Sequence, residues 1–595
     1  MVSGALLAKI HRDPEPRRND PAAQRAFDER LARARLRLDQ PQKCFAWQGL
    51  RVGALGHPLR PEAKHDNEDF EPLIELDSRH VGLVWGQLDP DGPTTREALE
   101  LLAARGPQVA EWFSGSYVMM LIDRVEGTLR LLRDPLGTRG AFIAETEDAR
   151  WVATDERMLW PDQPQPEPAY LASVFAAEPP PPSLSPIAGV SSLPPGHWLQ
   201  LTPDTNPTPQ RYWRFHYDPT VRRLSAADQR EGLLENLRSA VAATRSDGDA
   251  VAISGGLDSP AAAALSDLRQ ALTYRIERWP ECGEHNLAKR VCDDLGLALT
   301  EIDCDDAEPL GDAFEKTPTL ACGPELDAYQ ALRWRLAVRA RQQGHRGVLT
   351  GDFADQLYLG YPYALRDSFF RQPLASLGTL AKRLRATPAF WRDPTVRRLG
   401  PLNGISRGRR SPVRPWLTDH SRSLLTTAGR DHPIYGPITQ IDRVEGCLNS
   451  STARAAHLGY LQGLAWGVEY RFPYRQWKLV QFFLSLPAHC WLDPHTGATK
   501  PVTRQAMRGR LPAAVTERLA KTSLEPMFRQ AVLKDHWDKV QEALSLAEHW
   551  QPYIDPAWLE ERQQKNDWSG FSLYVLWCCV SAARWLQNFT GRHRG

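Results

Sequence analysis

The pattern of hydrophobic and polar residues changes near residue 220. Before that point, short apolar runs alternate with brief polar connections, which is typical of β-strands, and one run at 96–105 has the apolar spacing of a helix. Proline-rich segments at 178–186 and 194–196 are typical of connecting chain near the end of a module. The sequence therefore predicts a β-rich first domain over residues 1–215, with strands at 44–55, 80–88, 116–123, 128–133 and 150–154.

Beyond residue 225, short apolar runs alternate with segments of helical periodicity. Such alternation favours a parallel sheet, which binds its ligand at the carboxyl ends of the strands. From about residue 440 the pattern is mainly helical. We therefore predict a second domain over residues 216–595 and an α/β multidomain protein as a whole. The predicted strands are 250–254, 271–276, 297–303 and 347–350, and the predicted helices are 260–270, 284–295 and 326–343.

Composition narrows the class of protein. A chain of 595 residues is too long for one hydrophobic core, and its net charge of +1 lacks the positive excess of many nucleic-acid-binding proteins. No apolar run reaches about 18 residues and no signal peptide is recognisable, so we expect a cytoplasmic protein without a membrane partner. The nine cysteines include no C-x-x-C pair, which favours buried thiols over disulfides or zinc ligands.

The most informative motif is a glycine turn between the strand predicted at 250–254 and the helix that Pro260 opens. Such a turn directs backbone N–H groups toward one point, and glycine lets a phosphate approach the backbone closely. The motif lacks the Lys-Ser/Thr ending of the Walker loop and the spacing of the dinucleotide fingerprint. It predicts an anion-binding site formed by Ser254, Gly255, Gly256, Leu257, Asp258 and Ser259.

A second motif, Thr350-Gly351-Asp352-Phe353-Ala354-Asp355, also follows a predicted strand. It places two carboxylates at the sheet edge that is expected to face the glycine turn. Asp258 and Asp355 are then expected to bind Mg²⁺, a hard cation that takes oxygen ligands and bridges ATP phosphates. Two acids in a loop are also common as solvated turn residues, and that alternative stays open.

The order of these motifs resembles that of the asparagine synthetase family, and the glycine turn is similar to the pyrophosphate-binding loop of ATP pyrophosphatases. Upstream, residues 134–139, 152–156 and 192–196 resemble the family's glutaminase-type domain. The resemblance implies ATP as cofactor. It also implies an N-terminal Ntn-hydrolase-like β-rich sandwich domain and a C-terminal ATP-pyrophosphatase α/β domain with a parallel sheet and helical additions. The other matching segments are Thr350-Gly351-x-x-x-Asp355, Trp466-Gly467-Val468-Glu469-Tyr470-Arg471-Phe472-Pro473, Lys500-x-x-x-Arg504 and Lys521.

The resemblance also implies roles for single residues. Lys521 matches a lysine that contacts the adenylate and the developing negative charge. Lys500 and Arg504 match residues near the phosphates, although this spacing is also common on a solvated helix face. Asp352 is a candidate base for the attacking amine, with a turn-forming acid as the alternative. The candidate catalytic residues are therefore Asp352, Lys500 and Lys521. Thr350, Gly351 and Arg504 join residues 254–259 as candidate ATP-binding residues. Glu469 is expected only to anchor a turn.

Two positions depart from the family pattern. Asp352 stands where asparagine synthetases carry a glutamate and β-lactam synthetases a tyrosine. Glutamine-using members carry a cysteine nucleophile after the initial methionine, whereas this sequence has Val2. A glutamine-binding stretch is also not recognisable, and residues 82–86 are the nearest candidate. We therefore expect the first domain to be a degenerate glutaminase. The amine is then expected to arrive with the substrate, as in the β-lactam synthetases and lasso peptide cyclases that resemble asparagine synthetase.

The resulting hypothesis is an ATP-dependent macrolactam synthetase similar to lasso peptide cyclases. It would adenylate an Asp or Glu side chain of a ribosomal precursor peptide for attack by the peptide's N-terminal amine, releasing AMP and PPi. The expected partners are the precursor peptide, a leader-peptide recognition protein and a leader protease, with no nucleic acid. The basic segment 382–414 is either a peptide-docking arm or solvated surface. Two alternatives stay open: a synthetase that forms asparagine or a β-lactam, and a non-catalytic nucleotide- or peptide-binding scaffold.

Overall fold

The computed structural model describes most of the chain. Val2, Lys521 and residues 382–413 of the predicted basic segment lie outside the described residues. The described residues are 4–11, 21–35, 42–47, 50–56, 72–202, 208–357, 414–427, 440–449, 451–491, 493, 498–519, 522–568 and 570–593.

Two six-stranded antiparallel sheets form the N-terminal part. Their strands are β1 (Gly4–His11), β2 (Gln42–Trp47), β3 (Leu50–Gly56), β4 (Ile74–Glu75), β5 (His80–Leu88), β6 (Gly115–Asp123), β7 (Thr128–Arg133), β8 (Phe142–Glu145), β9 (Ala149–Ala153), β10 (Val190–Ser192), β11 (His197–Leu201) and β12 (Gln210–Arg211). The strand orders are β10-β8-β9-β1-β3-β2 and β12-β11-β7-β6-β5-β4. Leu6 and Val52 of the first sheet share a buried cluster with Leu83 and Met120 of the second. The prediction of a β-rich N-terminal part is confirmed.

The single strand predicted at 44–55 was wrong. β2 and β3 are separate strands that pair antiparallel, with Cys44 opposite Gly53. Residues 48–49 read Gln-Gly, a weaker turn signal than Asn-Gly or Asp-Gly, so the hydrophobic pattern concealed the reversal. The helices of this part are α1 (Pro21–Ala32), α2 (Thr95–Arg105) and α3 (Pro168–Phe175). The helix predicted at 96–105 is α2, whose first turn is closed by a capping box between Thr94 and Glu97.

A five-stranded parallel sheet forms the centre of the C-terminal part, as predicted. Its strands are β13 (Ala250–Ala252), β14 (Gln270–Arg275), β15 (Ala298–Asp303), β16 (Gly347–Leu349) and β17 (Glu469–Arg471), in the order β15-β14-β13-β16-β17. The chain runs outward from β13 to β15 and then returns to the other side of β13. The strand order therefore reverses between β13 and β16, which is where open parallel sheets bind ligands.

The helices around this sheet follow the predicted alternation, with one clear difference in length. The helix predicted at 284–295 ends at Gly296, whose φ of 65° is left-handed and suits a helix C-cap. The helix predicted at 260–270 ends earlier, at Ala263. The Ser266 hydroxyl donates to Ala263 O and accepts from Leu268 N, and these hydrogen bonds replace helical ones. The helices are α4 (Pro219–Arg223), α5 (Ala226–Thr244), α6 (Asp258–Ala263), α7 (His285–Leu295), α8 (Asp312–Lys316), α9 (Gln330–Gln342) and α10 (Ala354–Leu357).

The rest of the described chain is mainly helical, as predicted. Its helices are α11 (Asp419–Thr427), α12 (Gln440–Asn449), α13 (Ser451–Trp466), α14 (Trp477–Ser485), α15 (Pro501–Ala506), α16 (Ala513–Thr516), α17 (Glu525–Gln530), α18 (Trp537–Ser545), α19 (Ala547–Trp550), α20 (Pro556–Lys565) and α21 (Phe571–His593). Among the helices that the structure describes, none is both long and apolar enough to cross a membrane.

The N-terminal and C-terminal parts share buried contacts. One apolar cluster contains Leu99 of α2 and Leu237 of α5, and so extends across the boundary predicted after residue 215. Arg475 is fully buried and donates to the carbonyl oxygens of Leu136 and Leu448. Burial lowers the pKa of Arg475 to about 10. The carbonyl groups around this guanidinium therefore compensate only in part for its loss of water.

Candidate active site

A cavity of about 400 Å³ lies at the carboxyl ends of β13 and β16. These strands are paired in parallel, with Val251 opposite Leu349, so the loops that follow them lie side by side. The two sequence motifs therefore line one cavity. The predicted site residues in its lining are Ser254, Gly256, Asp258, Ser259, Thr350, Gly351, Asp352 and Asp355.

Hydrogen bonds hold the glycine turn in place. Ser254 N donates to Ser259 Oγ at 3.0 Å inside the turn. From outside, the Glu284 carboxylate accepts from Gly255 N at 3.0 Å, while Arg518 donates to Gly255 O at 3.0 Å and to Glu284 at 2.8 Å. Glu284 precedes α7 and Arg518 follows α16, so two distant segments fasten the loop that is expected to receive phosphate.

The two loops approach closely because residue 351 is glycine. A Cβ atom on Gly351 would lie 2.6 Å from Ser259 N, where no side-chain carbon fits. Phe353 has a left-handed φ of 71° and packs edge to face against Phe472, with ring centroids 5.1 Å apart. Such backbone strain costs about 1–3 kcal/mol and is common in functional loops. The chain bends at Phe353, and the acids on either side of the bend contact different partners.

Asp258 and Asp355 share one cation. The Lys500 ammonium lies 2.5 Å from Asp258 Oδ2 and 2.6 Å from Asp355 Oδ1. Burial lowers the pKa of Lys500, but the two carboxylates outweigh that effect and the net pKa is raised. The ammonium therefore stays charged, and the structure shows that both carboxylates can reach one positive centre.

The same two oxygens suit Mg²⁺. This ion prefers oxygen ligands and usually binds through one or two carboxylates together with water and substrate phosphates. No group of three or more His, Cys, Asp or Glu side chains in the described part of the chain could hold a metal. Asp258 and Asp355 therefore fit a magnesium site whose remaining ligands come from phosphate and water.

A second charged cluster, formed by Asp327, Arg333 and Asp352, lies in the same cavity lining. Arg333 Nε is 2.7 Å from Asp327 Oδ2, and its Nη1 is 2.8 Å from Asp352 Oδ2. Asp352 is the main cause that raises the pKa of Arg333 well above its usual value. The hydroxyl of Tyr470 donates to Arg333 O at 2.6 Å and so ties α9 to β17. Two carboxylates against one guanidinium leave a net negative charge, which suits a cationic amine.

Glu469 belongs to β17 and is more than a turn anchor. It lies 2.8 Å from Arg139 of the N-terminal part and 2.9 Å from Arg471, which in turn lies 3.3 Å from Asp249. This buried chain of charges connects the N-terminal part to the parallel sheet. β17 was not predicted because three residues, two of them charged, carry no hydrophobic period.

Some predicted site residues do not line the described cavity. Gly255 and Leu257 are buried, and Leu257 packs in the apolar core. Lys500 is not in the cavity lining, but its ammonium contacts two residues that are, Asp258 and Asp355. Arg504 donates to the carbonyl oxygens of Thr499 at 2.8 Å and Thr516 at 3.1 Å, so the structure does not bring it to the cavity. Lys521 lies outside the described residues.

Sequence reasoning missed four residues that hold or line the site, namely Glu284, Asp327, Arg333 and Arg518. Each is a single charged residue in a segment whose pattern predicts a helix or a turn, where charges are usually solvated. Their partners are far away in sequence: Arg518 donates to Glu284, for example. Glu284 and Asp327 lie at the starts of predicted helices, and that position was their local signal.

Two family models match the chain. The model described as asparagine synthase matches residues 232–587, which is more than half of the 595 residues. The model described as glutamine amidotransferase domain matches residues 94–213. The first match spans the parallel sheet and the cavity, and the second lies within the antiparallel sheets.

Two fungal proteins are similar to part of the chain. Amidase chry2 of Gibberella zeae is 26% identical over 277 residues, which is 43% of this chain and 41% of that protein. Amidase chyE of Penicillium rubens is 24% identical over 285 residues, covering 44% of this chain and 41% of that protein. The chain thus matches about two fifths of the length of each relative.

A solved structure of the allosteric regulatory enzyme of purine biosynthesis is also similar. It is 11% identical, with a TM-score of 0.24, and the match covers 51% of this chain and 81% of that one. At this score the likeness does not define the fold of this chain.

Proposed function

Since the chain belongs to the asparagine synthase family, we propose that it uses ATP to activate a carboxylate and joins that carboxylate to an amine. The observation that carries this proposal is the convergence of the glycine turn, the Asp258–Asp355 pair and the Asp352–Arg333 pair on one cavity. The parallel sheet then acts as an ATP-pyrophosphatase domain. ATP and Mg²⁺ are its proposed cofactors.

The first proposed step activates the carboxylate. An oxygen of the substrate carboxylate attacks the α-phosphorus of ATP, and PPi leaves with the electron pair of the broken P–O bond. Phosphate is proposed to bind at the glycine turn, beside Asp258 and Ser259 of the cavity lining. When bound at Asp258 and Asp355, Mg²⁺ neutralises phosphate charge. Lys500, whose ammonium pairs with these carboxylates when no metal is bound, then supplies positive charge as PPi departs.

The second proposed step forms the amide. The substrate ammonium first loses one proton to water, the neutral nitrogen attacks the acyl carbon, AMP leaves with the electron pair of the broken C–O bond, and a second amine proton passes to a base. Asp327 and Asp352 attract the amine because the cluster has a net negative charge, and Asp352 accepts this second proton. Lys521, which resembles the family's adenylate-contacting lysine, is proposed to stabilise the developing oxyanion. Holding both reactants together can lower the barrier by about 7–11 kcal/mol.

The proposed substrate is a peptide that supplies both reacting groups and is closed into a macrolactam. Supporting this choice, the lining of the cavity that holds the acid cluster also includes the apolar residues Leu272, Ile276 and Leu332. A wall of this kind suits peptide side chains as well as an adenine ring. A leader-peptide recognition protein and a leader protease are the partners that the resemblance to lasso peptide cyclases adds to the proposal.

The test combines the protein with ATP, Mg²⁺ and synthetic peptides that carry a free N-terminus and an internal Asp or Glu. We expect AMP, PPi and a peptide lighter by one water. Asp258→Asn and Asp355→Asn should each slow PPi release by about 100-fold or more, because contacts to developing charge are worth on the order of 3 kcal/mol. Asp247→Asn is the matched control, since the Asp247 side chain is fully exposed.

The same assay separates the alternatives. Asparagine formed from aspartate and ammonia, with no change in any peptide, would show that the substrate is a small molecule. Unchanged PPi release in both Asp258→Asn and Asp355→Asn would contradict the proposed nucleotide site. A protein whose biological output survives Asp258→Asn would be a scaffold and not a ligase.

A further inference from the structure

A second cavity, of about 220 Å³, lies between α21 and the chain that precedes α9. It is separate from the cavity described above and contains none of the predicted site residues. Aromatic side chains form part of its walls, and the rings of Trp585 and Phe589 are tilted by 33° with their centroids 5.0 Å apart. The aromatic residues in its lining are Trp160, Phe314, Trp577, Trp585 and Phe589.

The rings of this second cavity are held in fixed orientations. Trp585 Nε1 donates to Ala321 O at 3.1 Å, and Trp577 Nε1 donates to Leu326 O at 3.2 Å. The indole N–H groups of Trp577 and Trp585 are therefore satisfied by the cavity's own backbone. What the rings contribute to the space is apolar surface, which is suited to the face or edge of another ring.

Two buried polar atoms in the lining, Gln330 Oε1 and Arg584 Nη1, have no partner among the described residues. Gln330 is 2% exposed, and within the described residues no group donates to its Oε1. A buried carbonyl oxygen left without a donor is unfavourable and calls for an explanation, such as a bound water or ligand. The neighbouring Glu325 carboxylate is occupied, since it accepts from Asp327 N at 3.0 Å and from Gln462 Nε2 at 2.9 Å. Gln330 Oε1 is therefore the acceptor that remains to be satisfied.

Backbone strain marks the same walls. Leu310 and Ala321 both line the second cavity and have left-handed φ values of 63° and 55°. Two other non-glycine residues with left-handed φ, Phe353 and Lys500, belong to the candidate active site. Strain of this kind persists only where the surrounding structure enforces it, and it concentrates at ligand-binding sites. The second cavity shares this property with the first.

We propose that the second cavity binds an aromatic group the size of a phenol or an indole, with a hydrogen-bond donor that reaches Gln330 Oε1. Size supports this occupant, because an apolar cavity of about 150 Å³ is known to hold benzene. Chemistry supports it as well, because five aromatic side chains line a cavity in which Gln330 Oε1 is a buried acceptor with no donor among the described residues. The proposal does not depend on the proposed function. The aromatic group is either a free small molecule or a Tyr or Trp side chain of a peptide.

The test is calorimetric titration of the full chain with p-cresol, and with toluene as the matched probe that lacks the hydroxyl. We expect saturable binding of p-cresol at least about tenfold tighter than that of toluene, the usual effect of one hydrogen bond to a buried acceptor. Gln330→Met should abolish this preference. Asp258→Asn should leave both affinities unchanged, which separates this pocket from the nucleotide site.

A second variant guards against a misfolded Gln330→Met protein. Thr319 lines the cavity and is exposed, so Thr319→Trp should block p-cresol binding without disturbing the core. Titration with short Tyr- or Trp-containing peptides then identifies the source. Peptide binding at least as tight as that of p-cresol indicates a side chain, and binding of the free compound alone indicates a small molecule. Failure of p-cresol to bind, or equal binding to wild type and both variants, overturns the proposal.

Discussion

Lys500 has two features that single residues seldom combine. Its backbone is left-handed, with φ 60°, directly before Pro501 opens α15. Its ammonium lies between the carboxylates of Asp258 and Asp355. The left-handed backbone is unfavourable for lysine, and the two ion pairs compensate for it. Lys500 therefore occupies, in the chain alone, the place where a divalent cation would meet the same two oxygens.

The first prediction concerns competition for these oxygens. Lys500→Met should bind Mn²⁺, used as a spectroscopic substitute for Mg²⁺, about tenfold more tightly than wild type, because a competing charge is removed. The measurement is titration of free Mn²⁺ by electron paramagnetic resonance without nucleotide. Lys500→Arg keeps the charge and should stay near the wild-type affinity. An unchanged or weaker Mn²⁺ affinity in Lys500→Met would contradict this account.

At the scale of elements, the success of sequence analysis follows the strength of local signals. The helix at 284–295 was predictable because Gly296 marks its end, and the strand at 271–276 because an apolar run forms it. β17 escaped because it has only three residues and two of them are charged, and the ion pair of Glu469 with Arg139 joins residues that are far apart in sequence. The glycine turn could be found, but its fastening by Arg518 could not, since no spacing connects them.

The second prediction concerns the contact between the two site loops. Gly351→Ala would place a Cβ atom 2.6 Å from Ser259 N, so the loops must separate. We expect a loss of about 1–3 kcal/mol in the free energy of unfolding, which is typical of overpacking, together with weaker ATP binding. Denaturant unfolding and calorimetry measure these effects. Gly459→Ala in α13 is the control, because a Cβ atom there would lie 3.4 Å from its nearest neighbour, Phe472 Cζ, which is an ordinary contact distance. Equal behaviour of the two variants would disprove the steric argument.

At the scale of the whole molecule, the antiparallel sheets and the parallel sheet behave as one packed body in the described contacts. Arg475 follows β17, yet it donates to Leu136 O of the N-terminal part and to Leu448 O of the C-terminal part. The apolar cluster that contains Leu99 and Leu237 also spans both parts. Motif reading separated two domains, because it detects local patterns and not the side chains that join them.

The third prediction concerns cooperativity. Arg475→Met removes donors from buried carbonyl groups, each worth about 1–3 kcal/mol, so the free energy of unfolding should fall by at least about 3 kcal/mol. Unfolding should remain a single transition by tryptophan fluorescence and by circular dichroism. Arg96→Met is the control, because Arg96 forms an exposed pair with Glu100 at 3.6 Å, and such pairs contribute about 0.5 kcal/mol. Two separate transitions in wild type would contradict a common core.

The segment from Glu325 to Gln330 lies between the two cavities and contributes residues to the lining of each. Glu325 and Gln330 line the second cavity, whereas Asp327 and Tyr329 line the first. A movement of this short segment would change the lining of both cavities. By thermodynamic linkage, any effect of binding in one cavity on affinity in the other would be reciprocal. If an aromatic guest shifts the affinity for nucleotide by some factor, nucleotide must shift the affinity for that guest by the same factor. Residues 325–330 would then couple the binding of an aromatic compound in the second cavity to nucleotide binding in the first.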